Sequence, residues 1–235
     1  MQRALTMEEE IQASLNPTCT GTSVFAVMYD KGVVIASDKV VSYGKSTRYK
    51  NFTRQYKVNN EILIAFSGDH ADFQYVQNVI ERQVLMWQQV NQVLSPHALH
   101  SFLTNLYYNK RSRMNPLWNN VIVAGIETEN DNKPFIGVIT QRGVAYTVKH
   151  VANGMGSFLL NQVIETEWRK KSEATTRQEA EAIARKAIEL AIYHDCVADN
   201  DFEVNYVDAD DGVHLGKEET VIGNWALAET NCQYE

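Results

Sequence analysis

The sequence has few cysteines and few prolines. Its 235 residues include three cysteines, Cys19, Cys196 and Cys232, which is an odd number without the paired spacing of metal ligands. This pattern argues against a disulfide scaffold or a zinc module, and it favours a reducing compartment. The chain has four prolines and contains no repeat, low-complexity stretch or evident linker. A single large domain is therefore the preferred interpretation.

Long apolar runs and an excess of positive charge are also missing. No apolar stretch approaches the roughly 18 residues that span a bilayer, and the first residues lack the basic and then apolar order of a secretory signal. The formal net charge of −7 disfavours nucleic acid as a partner. The six histidines are scattered, so we expect no metal site and no other cofactor.

The composition that remains is that of a globular protein, with 44% hydrophobic and 22% charged residues. The polar start of the chain ends at Asn16-Pro17, which is a turn signal. We divide the sequence into an N-terminal extension (1–21), one domain (22–223) and a C-terminal tail (224–235).

The domain begins with a strand pattern. Apolar, β-branched runs at Ser23–Tyr29 and Gly32–Asp38 flank a short turn, which predicts a hairpin. The continuous apolar run within Ile62–Ser67 predicts a strand that is buried on both faces. Further strands are predicted at Tyr56–Val58, Asn120–Ile126, Pro134–Thr140, Val144–Val148, Phe202–Val207 and Val213–Leu215.

Helical spacing separates these strands into groups. Apolar residues at steps of three and four run from Phe73 to Leu94, and Ser95-Pro96 starts a second helix. A third helix is predicted near Ser157, and Thr176 with Glu179 forms a capping box for a fourth. Two facing sheets with a helix pair on each outer face satisfy this burial, so we predict an α+β fold, a four-layer αββα sandwich.

Several short motifs resemble those of the beta-type subunits of the 20S proteasome. They are Gly21-Thr22-Ser23-Val24, Gly32–Asp38, Phe66–Asp69 and Tyr193–Asp195, and the similarity extends from Gly21 to about Gly212. Tyr43-Gly44 and the run Arg111–Asn119 resemble the non-catalytic class called beta type 7, or beta type 4 in another nomenclature. The resemblance implies the N-terminal nucleophile hydrolase fold, which is a four-layer sandwich.

Active members of that family cleave a propeptide after a glycine, and the new N-terminal threonine attacks with its own amine as the base. On this sequence, the resemblance places the nucleophile at Thr22, the first aspartate at Asp38 and the second at Asp195. It places the glycine that holds the oxyanion at Gly68. The position of the catalytic lysine falls on Arg54.

Three positions depart from the active pattern, namely Arg54, Met155 and Ala198. Arg54 cannot release a proton at a relevant pH, whereas a lysine can. Met155 and Ala198 stand where the family has serines that orient the threonine amine. Cleavage after Gly21 should then fail, and Thr22 should keep an amide in place of a free amine. The sequence therefore predicts an inactive member with a vestigial pocket.

Each pocket position also has a purely structural interpretation. Thr22 and Ser23 are then simply the first residues of a strand, which we prefer. Asp38 and Arg54 then form a buried ion pair, and the removal of either partner alone strongly destabilises the fold. The remaining two structural interpretations are a turn glycine at Gly68 and a helix cap or surface charge at Asp195.

The first functional hypothesis is a structural subunit that completes one of two inner seven-membered rings in the cytoplasm and nucleus. Its partners are the other alpha and beta subunits, with two copies of this chain per particle. The C-terminal tail and the run Arg111–Asn119 are candidate segments for contacts with neighbouring subunits. The candidate contact residues in the run are Arg111, Met114, Asn115, Pro116, Leu117, Trp118 and Asn119. A loop packed on its own domain is the alternative for the run. The rival functions are an active threonine endopeptidase cleaved before Thr22 and a free-standing binding protein.

Overall fold

The computed structural model describes residues 19–128, 131–171 and 176–223. Its strands are β1 (Thr20–Gly21), β2 (Val24–Tyr29), β3 (Gly32–Asp38), β4 (Val41–Tyr43), β5 (Ser46–Tyr49), β6 (Gln55–Lys57), β7 (Ile62–Asp69), β8 (Asn119–Glu127), β9 (Lys133–Ile139), β10 (Ala145–Thr147), β11 (His150–Asn153), β12 (Asp201–Asp208), β13 (Gly212–His214) and β14 (Glu218–Thr220). Its helices are α1 (His70–Gln89), α2 (Pro96–Ser112), α3 (Gly156–Leu159), α4 (Asn161–Lys170) and α5 (Arg177–His194). Among the described helices, none is long and apolar enough to cross a membrane.

The strands form two antiparallel sheets. The eight-stranded sheet has the order β10-β9-β8-β7-β1-β4-β5, with β6 also paired to β7. The six-stranded sheet has the order β11-β2-β3-β12-β13, with β14 also paired to β12. The predicted hairpin of β2 and β3 is confirmed, because Tyr29 pairs with Gly32 across its turn.

Three hydrophobic clusters stack through the molecule and define its layers. The central cluster lies between the sheets and joins side chains such as Val24 and Ile35 of one sheet to Leu63 and Ile122 of the other. A second cluster packs α1 and α2 on the eight-stranded sheet, and a third packs α4 and α5 on the six-stranded sheet. Because side chains alternate along each strand, both faces of each sheet are apolar. The predicted four-layer αββα sandwich is confirmed.

Side-chain caps set the starts of two helices as the sequence predicts. The Ala98 backbone N–H donates to Ser95 Oγ at 3.2 Å at the start of α2. At α5, the Glu179 N–H donates to Thr176 Oγ1 at 3.3 Å, and the Thr176 N–H donates to the Glu179 carboxylate at 3.2 Å. This reciprocal pair is the predicted capping box.

The first predicted helix is wrong in extent, and the third begins near Ser157 as predicted but is divided. α1 ends at Gln89, and Val90 lies outside the apolar stripe with 64% of its surface exposed. The helix ends because Asn91 takes a left-handed backbone conformation, with φ of 52°. The third helix is two helices, since Leu160 separates α3 from α4.

The preferred interpretation of Thr22 and Ser23 as the first residues of a strand is also wrong. β2 begins only at Val24, and the preceding pair Thr20–Gly21 forms β1. β1 belongs to the eight-stranded sheet, whereas β2 belongs to the six-stranded sheet. The chain therefore crosses from one sheet to the other at Thr22–Ser23, and these two residues cannot continue either ladder.

Candidate functional site

The residues before Thr22 occupy the edge of β7 beside Gly68. β1 lies between β7 and β4, where Thr20 pairs with Asp69 on one side and with Ser42 on the other. Gly21 pairs with Gly68. The pairing continues outwards through a hydrogen bond of 2.8 Å from the His70 N–H to the Cys19 carbonyl. Since this edge already has a partner strand, an extended peptide from another molecule cannot pair with it.

Arg54 lies directly beneath this crossing and is fully buried. Its guanidinium forms an ion pair with the Asp38 carboxylate. It also donates from Nη2 to the Ser23 carbonyl at 2.7 Å and from Nε to the Asp38 carbonyl at 3.1 Å. A longer contact of 3.5 Å joins Nη1 to the Phe66 carbonyl. Arg54 thus holds the sheet crossing and Asp38 together.

Burial lowers the pKa of Arg54 to about 10, which still leaves the guanidinium protonated at neutral pH. A protonated guanidinium has only donors and cannot accept a proton. Its stem also packs against Gly21, where a Cβ atom would lie 2.4 Å from Arg54 Cδ. A glycine is therefore required before Thr22 for steric reasons that are independent of any cleavage.

The hydroxyl of Thr22 is isolated in this site. Its Oγ1 is buried and has no hydrogen-bond partner within the described residues. It lies beside a cavity of about 10 Å³ whose walls also include Phe25, Ile188 and Ala198. This volume is at the lower limit for one water molecule. With Gly21 joined to Thr22, the Thr22 nitrogen is an amide, so the hydroxyl has no base beside it.

The segment that carries Met155 packs on the same crossing through its glycines. The Gly156 N–H donates to Ser23 Oγ at 2.9 Å. A Cβ at Gly154, whose φ is 68°, would lie 2.5 Å from the Thr22 carbonyl oxygen. Met155 itself directly precedes α3, at the N-cap position, and is 49% exposed. This contact requires small residues on both sides of Met155, and it does not need a hydroxyl group at position 155.

Gly68 and Asp195 have structural roles in the same neighbourhood. Gly68 is a strand residue of β7 with φ of 104°, and a Cβ there would lie 2.4 Å from the Trp118 carbonyl oxygen. The interpretation as a turn glycine is therefore wrong. Asp195 occupies the C-cap position directly after α5 and accepts from the Val197 N–H at 3.1 Å through Oδ1, while its Oδ2 is buried without a partner in the described chain. Its negative charge favours the protonated form of Arg54.

The five pocket positions thus surround the sheet crossing, but they supply no proton acceptor at the Thr22 hydroxyl. Arg54 and Asp38 neutralise each other, and the edge of β7 is filled by β1. No sequence signal predicted β1, because two residues are too few to show a strand period. The close packing of Gly21 on Arg54 explains why a glycine precedes Thr22, but this contact cannot be recognised before the fold is known.

The run Arg111–Asn119 divides into two parts. Leu117 is 4% exposed and packs in the cluster beneath α1 and α2, and the Asn119 side chain accepts a hydrogen bond from the Tyr107 hydroxyl. Arg111 and Met114 are exposed at the surface, with Met114 at 71%. Part of the run therefore belongs to its own domain, and part is available for a contact.

The described residues contain no group of three histidine, cysteine, aspartate or glutamate side chains that could hold a metal ion. Cys19 and Cys196 are free thiols. Cys232 and the tail 224–235 lie outside the described residues.

Comparison with known proteins gives one consistent result. The family model described as "Proteasome subunit" matches residues 18–207. The chain is 35% identical over 227 residues to a proteasome subunit beta type-4 of Xenopus laevis, which covers 96% of this chain and 92% of the relative. It is 36% identical to the beta type-4 subunit of Drosophila melanogaster, over 90% of this chain and 78% of the relative. It is 31% identical to the beta type-7 subunit of Saccharomyces cerevisiae, over 86% of this chain and 78% of the relative.

Proposed function

The chain belongs to the proteasome subunit family, among its beta subunits, and from that premise we propose that it is a non-catalytic structural subunit of the 20S core. In this role it completes a beta ring, walls the proteolytic chamber and supports intracellular protein degradation, including the ubiquitin-dependent route. The relatives with beta type-4 and beta type-7 names support the assignment, and these two names match the two nomenclatures of one class.

One observation carries the proposal of inactivity: β1 and Arg54 close the catalytic position from two sides. β1 pairs with β7 at Gly68, where the resemblance to active members places the oxyanion donor. Arg54 binds Asp38 and the Ser23 carbonyl in place of a lysine that could exchange a proton. Substrate binding and proton transfer therefore both lack a site in the continuous chain.

The proposed partners are the other alpha and beta subunits, in seven-membered rings with two copies of this chain per particle. A heteromeric ring requires a different surface on each side of every subunit. The exposed part of the run Arg111–Asn119 is one such surface. The free thiols of Cys19 and Cys196 are compatible with our proposal of a cytoplasmic and nuclear location.

Assembly and inactivity can be tested on one preparation. Affinity purification through a tag on a neighbouring proteasome subunit should recover this chain in particles. Size-exclusion chromatography of the native lysate should show no large pool of the free 26.7 kDa chain. The purified particles are then treated with an epoxyketone probe that reacts with N-terminal threonines. We expect adducts on the catalytic subunits and none on Thr22. An adduct on Thr22 would establish the rival function of an active threonine endopeptidase.

A further inference from the structure

A groove of about 660 Å³ opens where the C-terminal end of α2 faces the turn between β9 and β10. Its lining includes Arg111, Met114, Pro116, Trp118, Gln141 and Arg142. We propose that this groove binds an acidic peptide segment of a neighbouring subunit, whose carboxylates lie against Arg111 and Arg142. The inference rests on the proposed function, since it requires a neighbour in an assembled particle.

The charges of the groove contrast with those of the whole chain. Arg111 and Arg142 are exposed, and neither forms an ion pair within the described residues. The chain as a whole carries a net charge of −7. Arginine is suited to this role because its planar fork of N–H groups matches a carboxylate. Arg111 also lies over the ring of Tyr108 at 5.8 Å. Two guanidinium groups in one concavity, neither with a carboxylate partner among the described residues, therefore favour an acidic occupant over an apolar one.

The apolar part of the lining has the composition of an interface. Tryptophan, methionine and arginine are enriched where proteins meet. Trp118 contributes a wall of the groove, and its Nε1 is buried without an acceptor within the described residues.

The backbone beside the groove is held in an unfavourable conformation. Met114 has a φ of 57°, a left-handed value that is uncommon for a residue with a long side chain. Hydrogen bonds from the Met114 N–H to the Arg111 carbonyl, at 3.2 Å, and from the Asn115 N–H to the Lys110 carbonyl, at 3.1 Å, hold this turn. The turn keeps the Met114 side chain exposed. Strain of this kind tends to occur at functional surfaces.

The turn between β9 and β10, which forms one wall of the groove, is fixed against α2, whose end forms the other wall. Gly143 has a φ of 76°, and a Cβ there would lie 2.8 Å from Tyr108 Cα, so the turn packs tightly on α2. The Gln141 N–H also donates to Asn120 Oδ1 at 3.0 Å. The groove therefore exists before a partner arrives, and binding has a small ordering cost.

Carbodiimide cross-linking in purified particles tests the proposed occupant. Arg111→Lys and Arg142→Lys each keep the positive charge and introduce an amine. The carbodiimide takes up the water that is lost as this amine and a carboxylate in contact with it form an amide. Arg113→Lys is the matched control, because Arg113 is exposed on the same turn but does not line the groove. We expect mass spectrometry to place links from positions 111 and 142 on aspartates or glutamates of one segment in a neighbouring subunit, at about tenfold the yield of the control.

Three cross-linking outcomes would overturn the inference. They are a yield at 111 and 142 that equals the control, links that end on this chain's own carboxylates, and links to a second copy of this chain. A double charge reversal gives an independent readout. Arg111→Glu with Arg142→Glu should lower incorporation into particles about tenfold on native gels, relative to Arg113→Glu.

The wild-type chain separates failure of the inference from failure of the proposed function. If the wild-type chain is absent from particles, the proposed function fails, and the inference fails with it. If the wild-type chain is present and the double charge reversal assembles equally well, the inference alone is wrong.

Discussion

Arginine serves two opposite purposes in this molecule. Arg54 is fully buried, and its guanidinium is held by Asp38 and by backbone carbonyls. Arg111 and Arg142 line an open groove and form no ion pair within the described residues. Arg54 therefore stabilises the fold at the position where the family resemblance places a catalytic lysine, whereas Arg111 and Arg142 are the arginines that we propose bind a partner.

The comparison shows why a family resemblance has to be read residue by residue. At Arg54, where the family resemblance places a lysine, an arginine cannot carry a proton and supplies several fixed donors to the sheet crossing. At the groove, Arg111 and Arg142 form no ion pair within the described residues, although Arg111 lies over the ring of Tyr108 at 5.8 Å. The distinction is one of burial and partners, and four substitutions can test it.

The largest expected effect is that of Arg54→Met. It leaves the Asp38 carboxylate and the Ser23 carbonyl buried without their donor, so the free energy of unfolding should fall by about 3–5 kcal/mol in urea titrations. Arg113→Met is the control on an exposed arginine and should change it by less than about 0.5 kcal/mol. Equal urea midpoints for the two variants would contradict the structural role of Arg54.

The second prediction divides the run Arg111–Asn119. Leu117→Ala creates a cavity in the core and should lower the free energy of unfolding by about 2–5 kcal/mol. Met114→Ala, at an exposed position, should change it by less than about 0.5 kcal/mol. Thermal denaturation of both variants measures the difference. If Met114→Ala is as destabilising as Leu117→Ala, the whole run serves its own domain.

The third prediction concerns the contact between Gly21 and Arg54. In Gly21→Ala the new methyl group would lie 2.4 Å from Arg54 Cδ, so the crossing must shift. Overpacking of this kind costs about 1–3 kcal/mol, which urea titration can detect. Ser46→Ala, at an exposed position of β5, is the control and should be close to neutral. A neutral Gly21→Ala would mean that β1 does not rest on Arg54.

The smallest expected effect is electrostatic. Burial raises the pKa of Glu203, which lies near Arg54 and Lys39. Since the folded state holds this proton more tightly than the unfolded state, the contribution of Glu203 to stability is full below its unfolded pKa. It is lost as the pH rises through the folded pKa. Urea titrations across this range should show a falling free energy of unfolding for the wild type relative to Glu203→Gln.

Glu189→Gln provides the control for that series. Glu189 is exposed on α5, so its replacement controls for the loss of one carboxylate at the surface. If Glu203→Gln and the wild type have parallel pH profiles, burial does not govern the titration of Glu203.

The sequence predicted the layers of the fold well because burial leaves a periodic record. Continuous apolar runs gave the sheets, and the capping box at Thr176 gave the start of α5. The end of α1 was missed because it depends on the left-handed conformation of Asn91, and a helical stripe continues past it. β1 was missed because its pairing partners are distant in sequence.

The sequence predicted which residues form the site but not how they are arranged. The motifs identified Thr22, Asp38 and Arg54 as one group, and the structure brings them together around the sheet crossing. The filled edge of β7 and the separation of the run at Leu117 required three-dimensional packing. Charge and apolar character alone could not distinguish a buried arginine from an exposed one.

The intact mass of this subunit from purified particles tests the central claim most directly. If Arg54 and β1 have replaced the catalytic arrangement, the mature chain begins before Thr22 and retains Thr20–Gly21 in the sheet. A mature chain whose mass corresponds to Thr22 as its first residue would contradict this, because it would show that the bond after Gly21 is cut and that the threonine amine is free.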